Sequence, residues 1–353
     1  MNKRILYLIK TLNIGGSERL TYNLANYMQR TGNDVSIYSS GGVFVDELRG
    51  KNIGYIYSEN AKEIGIKGFW KIRKEIGQIV KKKDFNIIHC FDRFFVFILK
   101  TLPIKNAKII YSAGNYYADF YQSFLRPDFA VAISPAIEKN LADTVKIKRD
   151  RIRRINYGVP MPDPVPWKKR KGDQPENITI GFIGNIMIEK GILNLLEAFS
   201  DLVKNHSEIR LKIIGDGPDK FTVMNFINDK GLQEYVDFAA SYTDPDAIYK
   251  NIDILILPSQ MKEGLPISIL EAMARGILTI STSSEAIKDL LINEETGIVL
   301  KTGKRQEIFN SLNNILTSYP NLEKMLSKAK ETVTENYSLD EMLLKYSELY
   351  RSI

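Results

Sequence analysis

The sequence predicts an α/β protein built from two doubly wound, parallel-sheet domains. Three observations predict it. Short apolar runs alternate with amphipathic stretches, the order expected of strands covered by helices on both faces. The alternation stops at one proline-rich segment and restarts after it. The length, 353 residues, suits two domains better than one.

In the front half "RILYLI" reads as the first strand. "GGSERLTYNLANYMQRTG" reads as a turn and a helix, with Leu20, Leu24, Tyr27 and Met28 on one face and Gly32 past its end. "DVSIYS" is the next strand, "FWKIRKEIGQIVKKK" a basic helix, and "NIIHCF", "AKIIYSA" and "FAVAIS" three more strands. Residues 156–177 hold five prolines and a basic run, and form the linker. Beyond it come "ITIGFIG", "RLKIIG", "VDFAA", "IDILILPS" and "ILTIST" as strands. Between them, "GILNLLEAFSDLV", "KFTVMNFINDKG", "PDAIYKN" and "PISILEAMARG" read as helices, and "GIVL" precedes two helical stretches. The expected domains are residues 1–165, joined by a last helix at about 337–353, and residues 166–336. That last segment carries Met342, Leu343, Tyr346 and Leu349 near one side. It either caps the second domain or crosses back onto the first. Two such domains facing one another make a cleft, with ligands outside the carboxyl ends of the strands.

Composition narrows the function. No run approaches the roughly 18 apolar residues that span a bilayer, and the basic, then apolar, N-terminus reads as a strand interrupted by Lys10 rather than a signal peptide. One cysteine, Cys90, rules out an internal disulfide and fits a reducing cytoplasm. His89 and His206 are too few for a histidine-rich metal site. Residues 1–166 carry 27 Lys and Arg against 15 Asp and Glu, a balance of +12, while the remainder carries 22 against 27, a balance of −5. The basic half therefore suits an anionic substrate or membrane surface. The stretch Lys67–Lys83, with Phe69 and Trp70 among its lysines, is the segment that fits an anionic membrane. Its apolar stripe reads as core.

Three places carry chemistry. "KEGLPISILEAMARG" follows a strand, and Pro266 suits the first turn of a helix that stops at Gly276. Glu263 then precedes a helix start and Glu271 lies inside the helix. Backbone N–H groups near Gly264 and Leu265 can hold an anion, and a carboxylate suits the paired hydroxyls of a ribose or hexose. Lys190 stands after another strand, beside a helix start near Gly191, where lysine and helix dipole together neutralise a diphosphate. Gly15 and Gly16 join the first strand to the first helix, although not in the dinucleotide GxGxxG pattern. That missing pattern disfavours a nicotinamide oxidoreductase.

"EGLPISILEAMARGILTISTS", "GFIGNIMIEKGILNLLEAF", "LKIIGDGP", "VDFAASYTDPDAIYKNIDILILPS", "INYGVP" and "LNIGGSERLTYNLA" together resemble the retaining glycosyltransferases of family 4, which have the GT-B fold of two Rossmann-like domains. The resemblance covers nearly the whole chain. It implies that Glu271 binds the ribose of a sugar nucleotide, UDP-linked by default. Glu263 would contact the donor sugar, helped by the backbone of Gly264, Leu265 and Pro266. Lys190 would bind the diphosphate and stabilise the charge that develops as it leaves. Gly16 would approach sugar and phosphates from the first domain, with Gly15 and Asn115 on the acceptor side. The acceptor would be a lipid-linked or glycan chain of a bacterial surface polysaccharide such as a capsule, and the enzyme cytoplasmic and peripheral on the membrane. No metal, cofactor or nucleic acid is expected.

The chain departs from the family in two places. Asn185 stands where an arginine is usual, and "IIYSAGNYYAD" lacks the usual histidine, with Gly114 and Asn115 instead. A catalytically weakened partner subunit is the alternative these departures leave, and a sugar-nucleotide epimerase of the same architecture is a further rival.

Overall fold

A computed structural model describes residues 2–63, 65–117, 126–162, 178–239, 244–261, 264–317 and 322–353. The chain divides into two compact units, Met1–Gly158 with Asp340–Ile353, and Val159–Leu339.

In the first unit the elements follow as β1 (Arg4–Leu8), α1 (Gly16–Arg30), β2 (Asp34–Ser39), α2 (Phe44–Leu48), β3 (Gly54–Tyr57), α3 (Ile66–Lys82), β4 (Ile87–Cys90), α4 (Arg93–Lys100), β5 (Lys108–Ala113), β6 (Phe129–Ala132), α5 (Pro135–Asp143) and β7 (Ile152–Arg154). In the second they are β8 (Thr179–Ile183), α6 (Ile192–Leu202), β9 (Arg210–Ile214), α7 (Lys220–Asp229), β10 (Val236–Ala239), α8 (Pro245–Tyr249), β11 (Ile254–Leu257), α9 (Ile267–Ala274), β12 (Leu278–Thr282), β13 (Ile298–Leu300), α10 (Arg305–Thr317) and α11 (Leu322–Asn336). A last helix, α12, spans Leu339–Arg351.

Each unit holds one parallel sheet. The strand orders are β3-β2-β1-β4-β5-β6-β7 and β10-β9-β8-β11-β12-β13. In both, the first strand of the unit sits inside the sheet. Ile5 of β1 lies between Val35 and Ile87, and Ile180 of β8 lies between Leu211 and Ile254. The winding therefore reverses between β1 and β4 and between β8 and β11, and each reversal opens a crevice at the carboxyl edge. Strands such as Ile5–Leu8 and Ile254–Leu257 are buried on both faces, which is why they read as unbroken apolar runs.

Five elements have weak sequence signals, namely α2, β3, α4, α5 and β7. β3 is a half-buried edge strand. α4, "RFFVFILK", is apolar nearly all round, so its period does not show. Its start is fixed instead by Asp92, whose side chain accepts from the Phe94 N–H at 2.8 Å. α5 starts in the same way at Ser134, with Pro135 in its first turn.

α12 packs on the first unit. Met342, Leu343, Tyr346, Leu349 and Tyr350 are buried. Beneath the helix lies a polar chain within the core. His89 Nδ1 meets the Tyr350 hydroxyl at 2.5 Å and His89 Nε2 meets Ser112 Oγ at 2.8 Å. Ser112 Oγ also meets the Tyr346 hydroxyl at 2.8 Å, and the Tyr350 hydroxyl donates to that of Tyr7 at 3.4 Å. One assignment fits all four contacts: His89 donates from Nδ1 to Tyr350 and accepts at Nε2 from Ser112, which accepts from Tyr346. Burial holds His89 neutral, with its pKa pushed down to about 3.

The connection around the linker is tied by backbone. Val159 N–H donates to Tyr337 O at 2.8 Å and Leu339 N–H to Val159 O at 3.0 Å. Most of the proline-rich linker, residues 163–177, lies outside the described residues.

Candidate active site

Of the predicted residues of the second unit, Asn185 and Lys190 follow β8, beside the reversal between β8 and β11. After β8 comes Gly184, which takes φ +154, and Asn185 follows. The Lys190 ammonium hangs over Gly184, 3.8 Å from the point a β-carbon there would occupy. Gly191, left-handed at φ +76, then turns the chain into α6. A side chain at Gly191 would strike the Pro258 carbonyl oxygen at 2.1 Å, and one at Gly303 would strike it at 2.7 Å. Glycine is therefore what lets the α6 start and the turn before α10 press on the end of β11. Gln260 N–H donates to Glu189 O at 2.8 Å and fastens the loop after β11 to the loop holding Lys190.

The neighbouring strand braces this loop. A β-carbon on Gly215 would lie 1.9 Å from Gly184 O, and one on Gly217 would lie 2.5 Å from Asn185 Oδ1. Ile186 N–H donates to Asp216 O at 2.9 Å, and Ile188 N–H to Asp219 Oδ2 at 2.8 Å. Asn185 is exposed, with its side-chain oxygen laid against Gly217.

The second predicted stretch follows β11. Lys262 and Glu263 lie outside the described residues, so the place of Glu263 is not part of the geometry. Gly264 is half-buried and Leu265 buried. Pro266 is the cap of α9 rather than a residue of its first turn, because its ψ of 108° is extended. Its carbonyl accepts from Ile269 N–H at 3.1 Å. α9 ends at Gly276, whose φ of +68 lets Ile277 N–H return to Ala272 O at 3.0 Å.

Glu271 is only 5% exposed, on the buried side of α9. Its Oε2 accepts from the Tyr249 hydroxyl at 2.8 Å, and that hydroxyl also reaches Ser268 O at 3.2 Å. Arg275 stacks over Tyr249 with its guanidinium carbon 4.8 Å from the ring centre. It also donates to Glu271 O at 3.0 Å and to Asp246 Oδ1 at 2.5 Å. The Asp246–Arg275–Tyr249 clasp thus packs α8 on α9 and fixes the direction of Glu271. Sequence reasoning took "PDAIYKN" only as a helix and missed Tyr249; its spacing from Glu271 depends on two helices meeting. It also missed Ser259 and Ser284, whose hydroxyls, after β11 and β12, are buried with no hydrogen-bond partner among the described residues.

In the first unit the predicted groups lie at the carboxyl edge of the sheet. Gly15 caps α1 with extended backbone, and Gly16 opens the helix and accepts from the Tyr157 hydroxyl at 3.3 Å. The β5 end meets this turn: a β-carbon on Gly114 would stand 3.8 Å from Ser17 Oγ. Asn115, the next residue, is exposed. Glu18 was legible in "GGSE" and overlooked. Its carboxylate covers Gly15, where a β-carbon would meet Oε2 at 2.4 Å. Burial raises its pKa against hydrogen bonds from its own backbone and Thr11. Among the described residues no group of three or more His, Cys, Asp and Glu could hold a metal ion. No described helix is long and apolar enough to cross a membrane.

Comparison with known proteins identifies the fold and the family. The family pattern "Glycosyltransferase Family 4" matches residues 14–161 and "Glycosyl transferases group 1" matches residues 166–332. An uncharacterized glycosyltransferase of Haemophilus influenzae is 26% identical over 97% of this chain and 98% of its own length. A glycosyltransferase from Rickettsia africae superposes with a TM-score of 0.80 at 24% identity, covering 99% of this chain and 98% of that one. HepE from Anabaena, solved with UDP and glucose, superposes with a TM-score of 0.82 at 17% identity over all of both chains. With the family 4 pattern on the first unit, the group 1 pattern on the second and two parallel sheets of the GT-B kind, the chain belongs to the family 4 glycosyltransferases.

Proposed function

We propose that this glycosyltransferase moves a sugar, with retention at the anomeric carbon, from a UDP-linked donor to a lipid-linked or glycan acceptor of a bacterial surface polysaccharide. The observation that carries the reading is the convergence at the β8/β11 reversal. There Lys190, the α6 start and the loop leading to Glu271 are fastened together by Gln260 and Glu189. The Anabaena relative bound to UDP and glucose supports a UDP donor.

In this reading Glu271, aimed by Tyr249, accepts hydrogen bonds from the ribose hydroxyls. Gly264, Leu265 and Pro266 offer backbone to the donor sugar, and Glu263 its carboxylate. The bond between the anomeric carbon and the diphosphate oxygen breaks as the acceptor hydroxyl oxygen bonds to that carbon from the same face. The acceptor proton passes to the departing diphosphate oxygen. Lys190 and the N–H groups at the α6 start meet the charge that gathers there, so that positive charge is supplied by the protein and no metal or cofactor takes part. Gly15, Gly16 and Asn115 serve the acceptor or reacting-sugar side. The enzyme works in the cytoplasm, at the membrane face where its acceptor lies.

Thermal unfolding with UDP, GDP and ADP tests the donor site. A nucleotide at one hundred times its Kd stabilises the folded state by about 2.7 kcal/mol. UDP is expected to do so for the native chain and far less for Glu271→Gln, with circular dichroism showing both folded. Equal stabilisation of both forms, or none by any nucleotide, refutes the reading. A partner subunit with weakened catalysis is the second reading, favoured by the neutral Asn185 in place of arginine. Nucleotide binding with no transfer to any acceptor offered would support it.

A further inference from the structure

α3 was expected to bury its apolar stripe, and it does so only in part. Ile72 and Ile76 are in the core. Ile66, however, is 80% exposed, Trp70 60% and, on the neighbouring α4, Phe97 50%. Phe69 joins the two helices, packing edge-on against Trp70 at 5.2 Å and tilted at 48° against Phe97 at 5.5 Å, and so links the exposed rings into a ledge. Arg73 stiffens it: its guanidinium carbon sits 5.7 Å from the Trp70 ring centre, while its nitrogens donate to Thr101 Oγ1 at 2.9 Å and Thr101 O at 3.0 Å.

Beside the ledge runs a cationic stripe. At about 100° per residue, Ile66, Trp70 and Arg73 share one line along α3, and Lys67, Lys74 and Lys81 share the next line round, away from the core. All three lysines are exposed. Residues 60–108 hold twelve Lys and Arg against four Asp and Glu. Each of those four is already engaged. Glu63 holds Lys71 at 2.8 Å, Asp92 holds Lys10 at 2.8 Å, and Asp84 lies 4.0 Å from Arg4. Glu75 faces inward and accepts from Tyr38, Ser58 and Asn60, each at 2.6 Å. Lys83, which the sequence placed with the membrane-facing lysines, instead bridges Asp34 at 2.7 Å.

We propose that the exposed face shared by α3 and α4 rests on an anionic lipid bilayer, with Ile66, Trp70 and Phe97 entering the headgroup boundary and Lys67, Lys74 and Lys81 lying on the phosphates. Tryptophan settles at that boundary, and lysines flanking an apolar ledge are the arrangement that anionic lipid attracts. Charge decides between lipid and a second copy of the chain. A symmetric pair would set one lysine stripe against another, whereas a bilayer supplies the opposite charge. The proposal shares with the function above only its membrane setting, and its test reads lipid binding rather than transfer.

The test is cosedimentation of the full chain with phosphatidylcholine vesicles, with and without phosphatidylglycerol. The native chain should bind the mixed vesicles, and Trp70→Ser with Phe97→Ser should lose roughly tenfold in partitioning. Lys67→Gln with Lys74→Gln should lose roughly fivefold per lysine, and the lysine part should fade as salt rises. These side chains are exposed, so the melting temperature and any stabilisation by UDP should hold; the lysine pair serves if the aromatic variant does not fold. Partitioning unchanged in both variants overturns the proposal. So does a dimer in sedimentation equilibrium that Trp70→Ser dissolves while vesicle binding stays as it was.

Discussion

His89 makes stability depend on pH. It is fully buried beneath α12, and burial pushes its pKa from the ordinary 6.5 down to about 3. The folded chain therefore refuses a proton that the unfolded chain takes up as pH falls through 6.5. Stability is fully present above 6.5 and lost below it, at about 1.4 kcal/mol per pH unit, until the pH reaches about 3. Between pH 7 and pH 5 this group alone removes about 2 kcal/mol from the first unit. His89→Gln keeps an amide that can donate and accept toward Tyr350 and Ser112 but does not titrate in this range. It should be less stable than the native chain at pH 7 and should lose about 2 kcal/mol less on going to pH 5. Native-state hydrogen exchange at the β4 and α12 amides reads the opening of this unit. His206 and the carboxylates are common to both proteins and cancel in the difference. Parallel pH profiles for the two proteins would refute the reasoning.

The Gly215→Ala variant puts a β-carbon 1.9 Å from Gly184 O at a φ of +151, so backbone must move, and about 2–4 kcal/mol of stability should be lost together with stabilisation by nucleotide. Gly231→Ala, at φ +64 with nothing within 4 Å, is the control and should cost about 1 kcal/mol in urea unfolding. Glu307 accepts from the N–H groups of Lys301, Thr302 and Gly303 and from the Thr302 hydroxyl at 2.6–3.0 Å. Burial works to raise its pKa, but those donors outweigh it and hold the carboxyl below its usual 4.5. Glu307→Ala should cost about 1–2 kcal/mol at neutral pH, and the deficit should shrink as pH falls below 4.5, where the unfolded chain's carboxylate takes up a proton that the folded one still refuses. A deficit in urea midpoint that does not change with pH would count against it.

Much of this fold is legible in the sequence because parallel strands are buried on both faces and leave unbroken apolar runs. "ILYL" of β1 and "ILIL" of β11 carry that mark. Edge strand β3 does not, since its residues are at most half-buried, and α4 hides its period because Phe94 and Phe97, outside its buried face, are as apolar as the residues on it. At the site, Lys190 and the glycines around it are readable because each sits where one strand ends and one helix starts. Tyr249 and the Pro258 carbonyl are not, since their partners are fixed by how α8 meets α9 and how two glycines meet β11. The core chain of Tyr7, His89, Ser112, Tyr346 and Tyr350 draws on residues more than two hundred positions apart, which no local pattern records. Trp70 shows the opposite failure. An apolar residue on an amphipathic helix reads as core, and only the packed structure shows that the core was already filled by Ile72 and Ile76.

Because Asp340–Ile353 belongs to the first unit, that unit is not continuous in the chain. A ribosome that has released Gly158 must still make roughly 180 further residues before α12 exists, about 10–40 s of synthesis. Through that interval the nascent first unit presents Tyr7, His89 and Ser112 without the helix that covers them. The second unit, by contrast, is complete in one stretch. The order of synthesis is therefore not the order of completion: the unit that emerges first is finished after the second, once α12 has been made.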